Sequence, residues 1–417
     1  MSAGWALALV AALAWLPSLA GVFQFDDYNV IVNEPAVHSW QAFLDRASGV
    51  RPLLKASYTL NWTLGPGAVG FHLFNIAVHV VNALLAYHVG RELCVRWKVG
   101  PGAAVLAALL FALHPVQAEA VTYVSGRSSS LMAGFYLGAV LVYLRGGHWT
   151  LSSLLFALAL ATKETALTLP AALLLCELAS SGKANLRRQW PHWAIFAAGI
   201  ASVALNPRYL ELATFGFTRR DVADNLLTQV GGVAYLVGRL IGVQAPNIDP
   251  ALPVLSAWSF SLAIQASLIA VLMMIGITQL RRRPWLGFGM LWFFLHLAPT
   301  NSLIPRLDVA NDRQLYLAGW GLFLALAVQL GTVRRTVVAA LALTCGLAAV
   351  ARQLDYRSEI ALWEADSARA PWNARAYNNL GYAYQQAGRA ADARRAYEAA
   401  LLFDPGHPKA RANLLIR

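Results

Sequence analysis

Gly4-Trp5-Ala6-Leu7-Ala8-Leu9-Val10-Ala11-Ala12-Leu13-Ala14-Trp15-Leu16-Pro17-Ser18-Leu19-Ala20-Gly21-Val22 is an uncharged apolar run, and Phe23-Gln24-Phe25-Asp26-Asp27-Tyr28 follows it directly. A helix needs about 20 such residues to cross a bilayer core. The run therefore reads as a membrane span that delivers an acidic pair to the membrane surface. Two adjacent carboxylates there repel one another and gain nothing from burial. They make sense facing water and holding a proton, a metal or a sugar. Ser18-Leu19-Ala20 has the small residues of a signal-peptidase site, but no Lys or Arg precedes the run, so it reads as a retained helix.

The rest of the chain supports a membrane class. Of its 417 residues, 58% are hydrophobic and only 13% are charged. Soluble domains carry about 25% charged residues. The apolar runs are long and do not alternate, which excludes a barrel and predicts an all-α polytopic protein. Candidate spans are 4–22, 71–94, 101–114, 128–145, 150–162, 166–179, 192–206, 258–280, 285–299, 315–331 and 336–350. That is about eleven crossings, N-terminus inside and C-terminus outside. Stretch 229–243 contains Arg239 and is read as dipping into the membrane or packing along it, because a crossing there would move the basic loop at Arg281 to the other side. Residues 1–350 form the membrane unit and 351–417 a polar helical unit.

The formal charge of +12 does not call for nucleic acid. Arg91, Arg96, Lys98, Arg145, Lys183, Arg187, Arg188, Arg281, Arg282, Arg283, Arg334 and Arg335 fall on one side of this topology, with only Glu92 and Glu177 beside them. An excess of about ten positive charges is the mark of cytoplasmic loops. The three cysteines, Cys94, Cys176 and Cys345, sit in or at the ends of apolar runs with no ligand spacing, and read as small packing residues.

Outer loops 23–70, 115–127, 163–165, 207–257 and 300–314 hold the chemistry, and Ala36–Ala47 reads as an amphipathic helix on the membrane surface. Four polar clusters lie on this face: Asp26-Asp27 with Glu34; His114 and Glu119, followed by Arg127; Lys163-Glu164; and Asp308, Asp312 and Arg313. Ionisable residues at a membrane face are costly unless they line a cavity. Arg51, Arg127, Lys163 and Arg313 add cations. Cations at the lipid boundary with carboxylates above them suit a lipid-phosphate donor and a hydroxyl acceptor, Arg gripping phosphate and an Asp taking the acceptor proton. Taken singly, each cluster also has a bland reading as a loop turn, a helix cap or a surface ion pair. Asp27 is slightly preferred over Asp26 as the base, with Glu119 next. His72, Asn75 and His79 share one helical face and read as polar glue between helices rather than metal ligands. Whether a divalent metal, Mg or Mn, assists is left open.

Residues 373–404 carry the small, large and Gly positions of the 34-residue tetratricopeptide pattern, with a helix at about 351–370 as a preceding half and 405–417 opening a further one. Such repeats need neighbours to bury their faces, so this unit leans on the membrane unit or on a protein partner.

In combination these pieces resemble a known family. The acidic pair Asp26-Asp27 after the first span comes first, then Arg51-Pro52-Leu53 with Leu60-Asn61, then Phe71-His72, Asn75, His79 and Asn82. His114-Pro115, Glu119-Ala120-Val121 and Gly126-Arg127 follow. Lys163-Glu164, Asn301-Ser302 with Ile304-Pro305, and Arg313 with Leu315-Tyr316-Leu317 complete the set. The chain resembles the transmembrane-and-tetratricopeptide-repeat O-mannosyltransferases and their bacterial relatives, which are GT-C glycosyltransferases. The departures are Ala318-Gly319, where a Ser is expected, and a shorter repeat region. The resemblance implies a GT-C-like bundle, a polyprenyl- or dolichyl-phosphate sugar donor, an inverting transfer, and a protein or glycan acceptor. It puts the acid at Asp26 or Asp27, and Arg127 and Arg313 toward the lipid phosphate. Location would be the bacterial inner membrane with a periplasmic site, or the endoplasmic reticulum with a lumenal one. The alternatives are a membrane-anchored repeat scaffold and a flippase or transporter for lipid-linked sugars. An acid pair in a loop rather than mid-span argues against transport.

Overall fold

The computed structural model describes residues 3–46, 49–332 and 335–415, and among these it has no β-strand. Ala47, Arg334 and Arg417 lie outside the described residues. Helix α1 (Ala3–Trp15) continues through a 3-10 turn at Leu16–Ala20 into the first long loop. That loop holds a short α2 (Trp40–Asp45) and α3 (Pro52–Leu64). The surface helix expected over Ala36–Ala47 is thus broken. Pro35–Val37 is a 3-10 turn capped by the Glu34 carboxylate, and Ser39 caps α2 afresh.

The bundle follows with α4 (Ala68–Arg96), α5 (Gly102–Leu113), the single turn α6 (Ala118–Val121), α7 (Arg127–Leu144), α8 (Trp149–Thr162) and α9 (Leu169–Ser181). Then come α10 (Leu186–Leu205), α11 (Pro207–Arg219), α12 (Val222–Leu240), α13 (Phe260–Gln279), α14 (Pro284–Leu297), α15 (Leu315–Gln329) and α16 (Arg335–Asp355). Among the described residues, five stretches are long and apolar enough to cross a membrane: Ala3–Ala20, Ala68–Arg96, Val124–Leu144, Phe260–Gln279 and Thr336–Asp355. Gly102–Leu113 with Pro115–Val121 makes a sixth if the pair, bent by 52°, is one span. The bend falls where Pro115 removes a donor and the His114 ring accepts from the Val116 N–H (3.3 Å). α13 turns Phe260, Leu268 and Met274 outward. An apolar helix exposed in this way fits lipid contact.

α4, α5, α7, α14 and α15 pack on one another around a core that includes Phe111, Tyr136, Trp292, Trp320 and Leu324. One end of this bundle is basic. Arg96 and Arg145 both pair with Glu92, and Arg188 stacks on Tyr143. α4 runs from that end to the opposite one, where His72 and Asn75 lie under the acidic loops.

α16 continues past residue 350 to Asp355, and the break falls at Tyr356-Arg357-Ser358, where Ser358 caps α17 (Glu359–Arg369). α18 (Ala374–Gln386) and α19 (Ala390–Phe403) form a hairpin, and α20 (Pro408–Leu415) follows. Gly381 lets them approach, since a Cβ there would meet the Tyr397 ring at 2.6 Å. The C-terminal unit docks on the membrane unit through hydrogen bonds from Gln24 to the Tyr356 carbonyl, from Arg369 to the Pro246 carbonyl, and from Asn373 to the Asp249 carbonyl.

Candidate functional site

The acidic pair splits, as adjacent residues on an irregular loop must. Phe25 has φ 49°, a left-handed conformation that costs a non-glycine residue about 1–2 kcal/mol. It is held there by its ring against Trp363 (5.3 Å) and by the bonds of Asp27. Asp27 is fully buried. Its Oδ2 accepts from the Gln24 N–H (3.0 Å), and its Oδ1 accepts from the Ser125 N–H (2.7 Å) and the Ser125 hydroxyl. Burial pushes this carboxyl up to about 7, against those hydrogen bonds. Both of its oxygens are engaged in tying the loop after α1 to the turn before α7.

Asp26 is only half-buried. Its backbone N–H donates to the Tyr123 hydroxyl (3.0 Å). Burial raises its carboxyl pKa, with Arg313 opposing and Asp308 adding to the rise.

Glu119 reaches the same place through a close backbone approach. A Cβ on Gly126 would sit 1.8 Å from the Glu119 carbonyl oxygen, so the α6 turn folds flat onto the start of α7 only because residue 126 is Gly. The buried Glu119 carboxylate accepts from the Arg313 N–H (3.1 Å) and faces Arg313 Nε at 3.5 Å. Arg313 Nη2 lies 3.9 Å from Asp308. Its neighbour Asp312 leaves the cluster. It forms a buried pair with Arg239 at 2.9 and 2.7 Å, pinning α12 to the start of α15.

The cations gather beside Arg313. Arg51 grips Glu164 with two hydrogen bonds, 2.9 and 2.5 Å. Against the effect of burial, Arg51 holds the Glu164 carboxyl down at about 2. Lys163 is buried, with Nζ 2.8 Å from the Ser129 hydroxyl. Burial, then Arg51 and Arg313, push its ammonium well below the usual lysine range. Arg306 was not singled out from the sequence. Its charge is disfavoured by burial and by Arg313, with Glu164 opposing. Among the described residues, neither Lys163 nor Arg306 forms an ion pair within 4.0 Å.

Arg127 does not join them. It is fully buried, and its guanidinium donates to Asn75 Oδ1 (2.6 Å), the Ser57 carbonyl (3.1 Å) and the Phe71 carbonyl (3.0 Å). Tyr58, Phe71 and Phe74 close over its faces. It brackets α3, α4 and α7 together. The polar helix face is likewise internal. His79 bonds Tyr316 and the Ala112 carbonyl, Asn82 bonds Tyr316, and Asn75 donates to the Val121 carbonyl. His72 packs against Gly21. His114 bonds the Leu240 carbonyl. Glu34 caps its own turn and pairs with Arg46 at 3.4 Å, away from the cluster. Among the described residues no three His, Cys, Asp or Glu side chains are grouped to hold a metal.

Sequence reasoning also missed Arg375 of α18, which bonds Asp249 (2.5 Å) and Asp308 (2.8 Å). The only sequence signal was its Arg at the start of the repeat. Asp26, Glu119, Lys163, Glu164, Arg51, Arg306, Asp308 and Arg313 thus form one ionic cluster, with each member acting on the charge of others.

Among the described residues, fold and cluster together define an all-helical protein with five or six apolar stretches of membrane-crossing length and a mixed ionic site built from the loops between helices. Comparison with known proteins narrows the class. A protein O-mannosyl-transferase of Caenorhabditis elegans is 25% identical over 435 aligned positions, covering 95% of this chain and 62% of the relative. Protein O-mannosyl-transferase Tmtc2 of Drosophila melanogaster is 33% identical over 198 positions, 40% of this chain and 20% of its own length. Human protein O-mannosyl-transferase TMTC4 is 31% identical over 198 positions, 38% of this chain and 27% of its own. The homologues of this chain are thus named protein O-mannosyl-transferases, and the chain spans less than two thirds of their length. No family model and no solved structure matches it.

Proposed function

We propose that this chain is an integral-membrane glycosyltransferase. It moves mannose or a similar hexose from a polyprenyl- or dolichyl-phosphate donor to a hydroxyl of a protein acceptor at the outer membrane face. The observation that carries the reading is the juxtaposition of Asp26, a half-buried carboxylate, with a cluster in which Lys163 and Arg306 have no ion-pair partner within 4.0 Å among the described residues, as Asp26 has none. A scaffold would have no need to crowd unpaired cations, which repel one another. An anion bound among them relieves that repulsion.

The chemistry follows. The Asp26 carboxylate takes the proton of the acceptor hydroxyl. The acceptor oxygen attacks the anomeric carbon from the face opposite the phosphate, so the configuration inverts. The bond from that carbon to the phosphate oxygen breaks, and the lipid phosphate leaves with the electron pair. Lys163, Arg306 and Arg313 stabilise the charge that develops on it. Glu119 and Asp308 hold Arg313 in place, and Glu164 does the same for Arg51. Arg127 supports the site as an internal bracket.

In the same reading the bundle makes about eleven crossings and leaves its C-terminus on the site's side, because the basic loops gather at the opposite end. α17 to α20 read as tetratricopeptide-like halves. The membrane is a bacterial inner membrane with a periplasmic site, or the endoplasmic reticulum with a lumenal one. The test is transfer by the purified chain in detergent, with labelled polyprenyl-phosphate mannose and a Ser/Thr peptide. Inverted glycopeptide is the expected product. Absence of transfer from any polyprenyl-phosphate hexose, by protein that is folded, would overturn the reading.

A further inference from the structure

Two cavities adjoin beside the ionic cluster. The larger, ≈ 490 Å³, lies between α12, the start of α13 and the turn joining α17 to α18, with Tyr235, Gln244, Gln265 and Trp372 in its walls. The smaller, ≈ 270 Å³, is walled by Asp249, Asp308 and Arg375. Pro250 and Leu252 belong to both. They form one groove, and its inner end is Asp308, the carboxylate that faces Arg313.

The groove is preformed. One wall is the loop after α12, stiffened by Pro246, Pro250 and Pro253. Asp366 of α17 fixes it by accepting from the N–H groups of Ile248 (3.0 Å) and Asp249 (3.2 Å). The cations beside it are already spent. Arg369 bonds the Pro246 carbonyl and Asp355, and Arg375 bonds Asp249 and Asp308. What is left to meet a ligand is uncharged. The Gln244 and Gln265 amides and a Tyr235 hydroxyl that is buried without a partner alternate with Leu252, Pro253 and Trp372.

Such walls suit one class of occupant. A lipid tail would leave the two amides and the phenol hydroxyl unsatisfied, at a desolvation cost. An extended polypeptide supplies backbone N–H and C=O groups to the amides, and its side chains alternate toward the apolar surfaces. We propose that this groove binds an extended, uncharged segment of the acceptor polypeptide and leads its hydroxyl residue toward Asp26. This rests on the transferase reading above and adds the acceptor's path to it.

The test separates the two. The probe is a short fluorescein-labelled peptide of Thr, Ser, Ala and Pro, and the readout is its anisotropy with the full chain in detergent. Ala245→Trp fills the groove from an exposed position and Trp372→Ala removes one wall. Each should weaken peptide binding at least about tenfold, a change of about 1.4 kcal/mol. Gly100→Ala, at a position with open space around it and outside the groove, should bind the peptide as the unmodified chain does. No peptide binding by the unmodified chain, or binding by both groove variants as tight as that of the unmodified chain, overturns the proposal. So does displacement of the peptide by polyprenyl phosphate alone, which would make the groove a donor-lipid site. If every form binds the peptide as proposed but none transfers sugar, the groove stands and the transferase reading falls.

Discussion

Arg375 Nη2 donates to Asp308 Oδ1 at 2.8 Å, and Arg313 faces the other oxygen of that carboxylate at 3.9 Å. A helix of the C-terminal unit and the arginine of the ionic cluster thus share one acid. Removing Arg375 leaves Asp308 free to move onto Arg313 and takes away a positive charge that favours ionised Asp26. A charge-assisted hydrogen bond is worth about 1.5–3 kcal/mol, so Arg375→Ala should lower turnover by roughly tenfold or more. The acid limb of the pH–rate profile should move upward, and Arg375→Lys should restore part of the loss. Steady-state kinetics across pH checks this, and an unmoved acid limb would confine Arg375 to holding the unit in place.

The pH dependence of activity has a definite sign. A base works only when ionised, and burial raises the Asp26 pKa above its ordinary value of 3.8. Activity should therefore rise with pH through an apparent pKa above the usual carboxylate range, then level off. The limb belongs to the cluster as a whole, since Asp308 and Arg313 both act on it.

Stability runs the other way through Asp27. Its folded pKa is raised to about 7 from 3.8. Its contribution is fully present below pH 3.8 and is lost as pH rises through about 7. Thermal unfolding in detergent should show a midpoint that falls over that window because of this group. Asp27→Asn should flatten that part of the slope.

Gly126 offers a steric test of how Glu119 is delivered. Its missing Cβ leaves room for the Glu119 carbonyl, which would otherwise lie 1.8 Å away. Gly126→Ala must push two backbone segments apart, and overpacking of this kind costs about 1–3 kcal/mol or more. A lowered unfolding midpoint and lost transfer are expected. Gly100→Ala, with nothing within 4 Å of the added carbon, should change neither.

The phosphate clamp is tested at the two unpaired cations. Lys163→Ala and Arg306→Ala should each weaken donor binding about tenfold, one charge-assisted contact being worth about 1.5–3 kcal/mol. Arg127→Ala should instead lower the unfolding midpoint, because Asn75 and the Ser57 and Phe71 carbonyls lose their donor. Titration with labelled polyprenyl phosphate distinguishes the two effects.

Much of this was legible in the residues, and the rest was not for physical reasons. Long apolar runs announce helices whatever surrounds them, so the all-α membrane class could be read directly. The acid pair and the Arg51, Lys163 and Arg313 cations were visible because charge beside an apolar span is costly. The roles within pairs were hidden. Asp26 and Asp27 differ only in which one meets Ser125, a residue 98 positions from Asp27 along the chain. Asp312 and Arg313 diverge because Arg239 of α12 captures Asp312. Arg127 reads from the sequence as a cation toward the donor phosphate, and the Asn75 side chain and three rings that enclose it come from elsewhere in the chain. Arg306 and Arg375 looked like ordinary loop and repeat residues, since only tertiary contact brings them to Arg313 and Asp308.

The central claim is that Asp26 acts on the acceptor while Asp27 holds the loop. Transfer by the two single Asn variants, measured beside their unfolding midpoints and their donor affinity, tests it most directly. Loss of a general base costs about 10²–10⁴-fold. Asp26→Asn should fall by that much, with donor binding and unfolding midpoint retained. Asp27→Asn should keep more turnover but lose stability at acidic pH. Near-normal turnover in Asp26→Asn, with the large loss in Asp27→Asn at unchanged stability, would contradict the account.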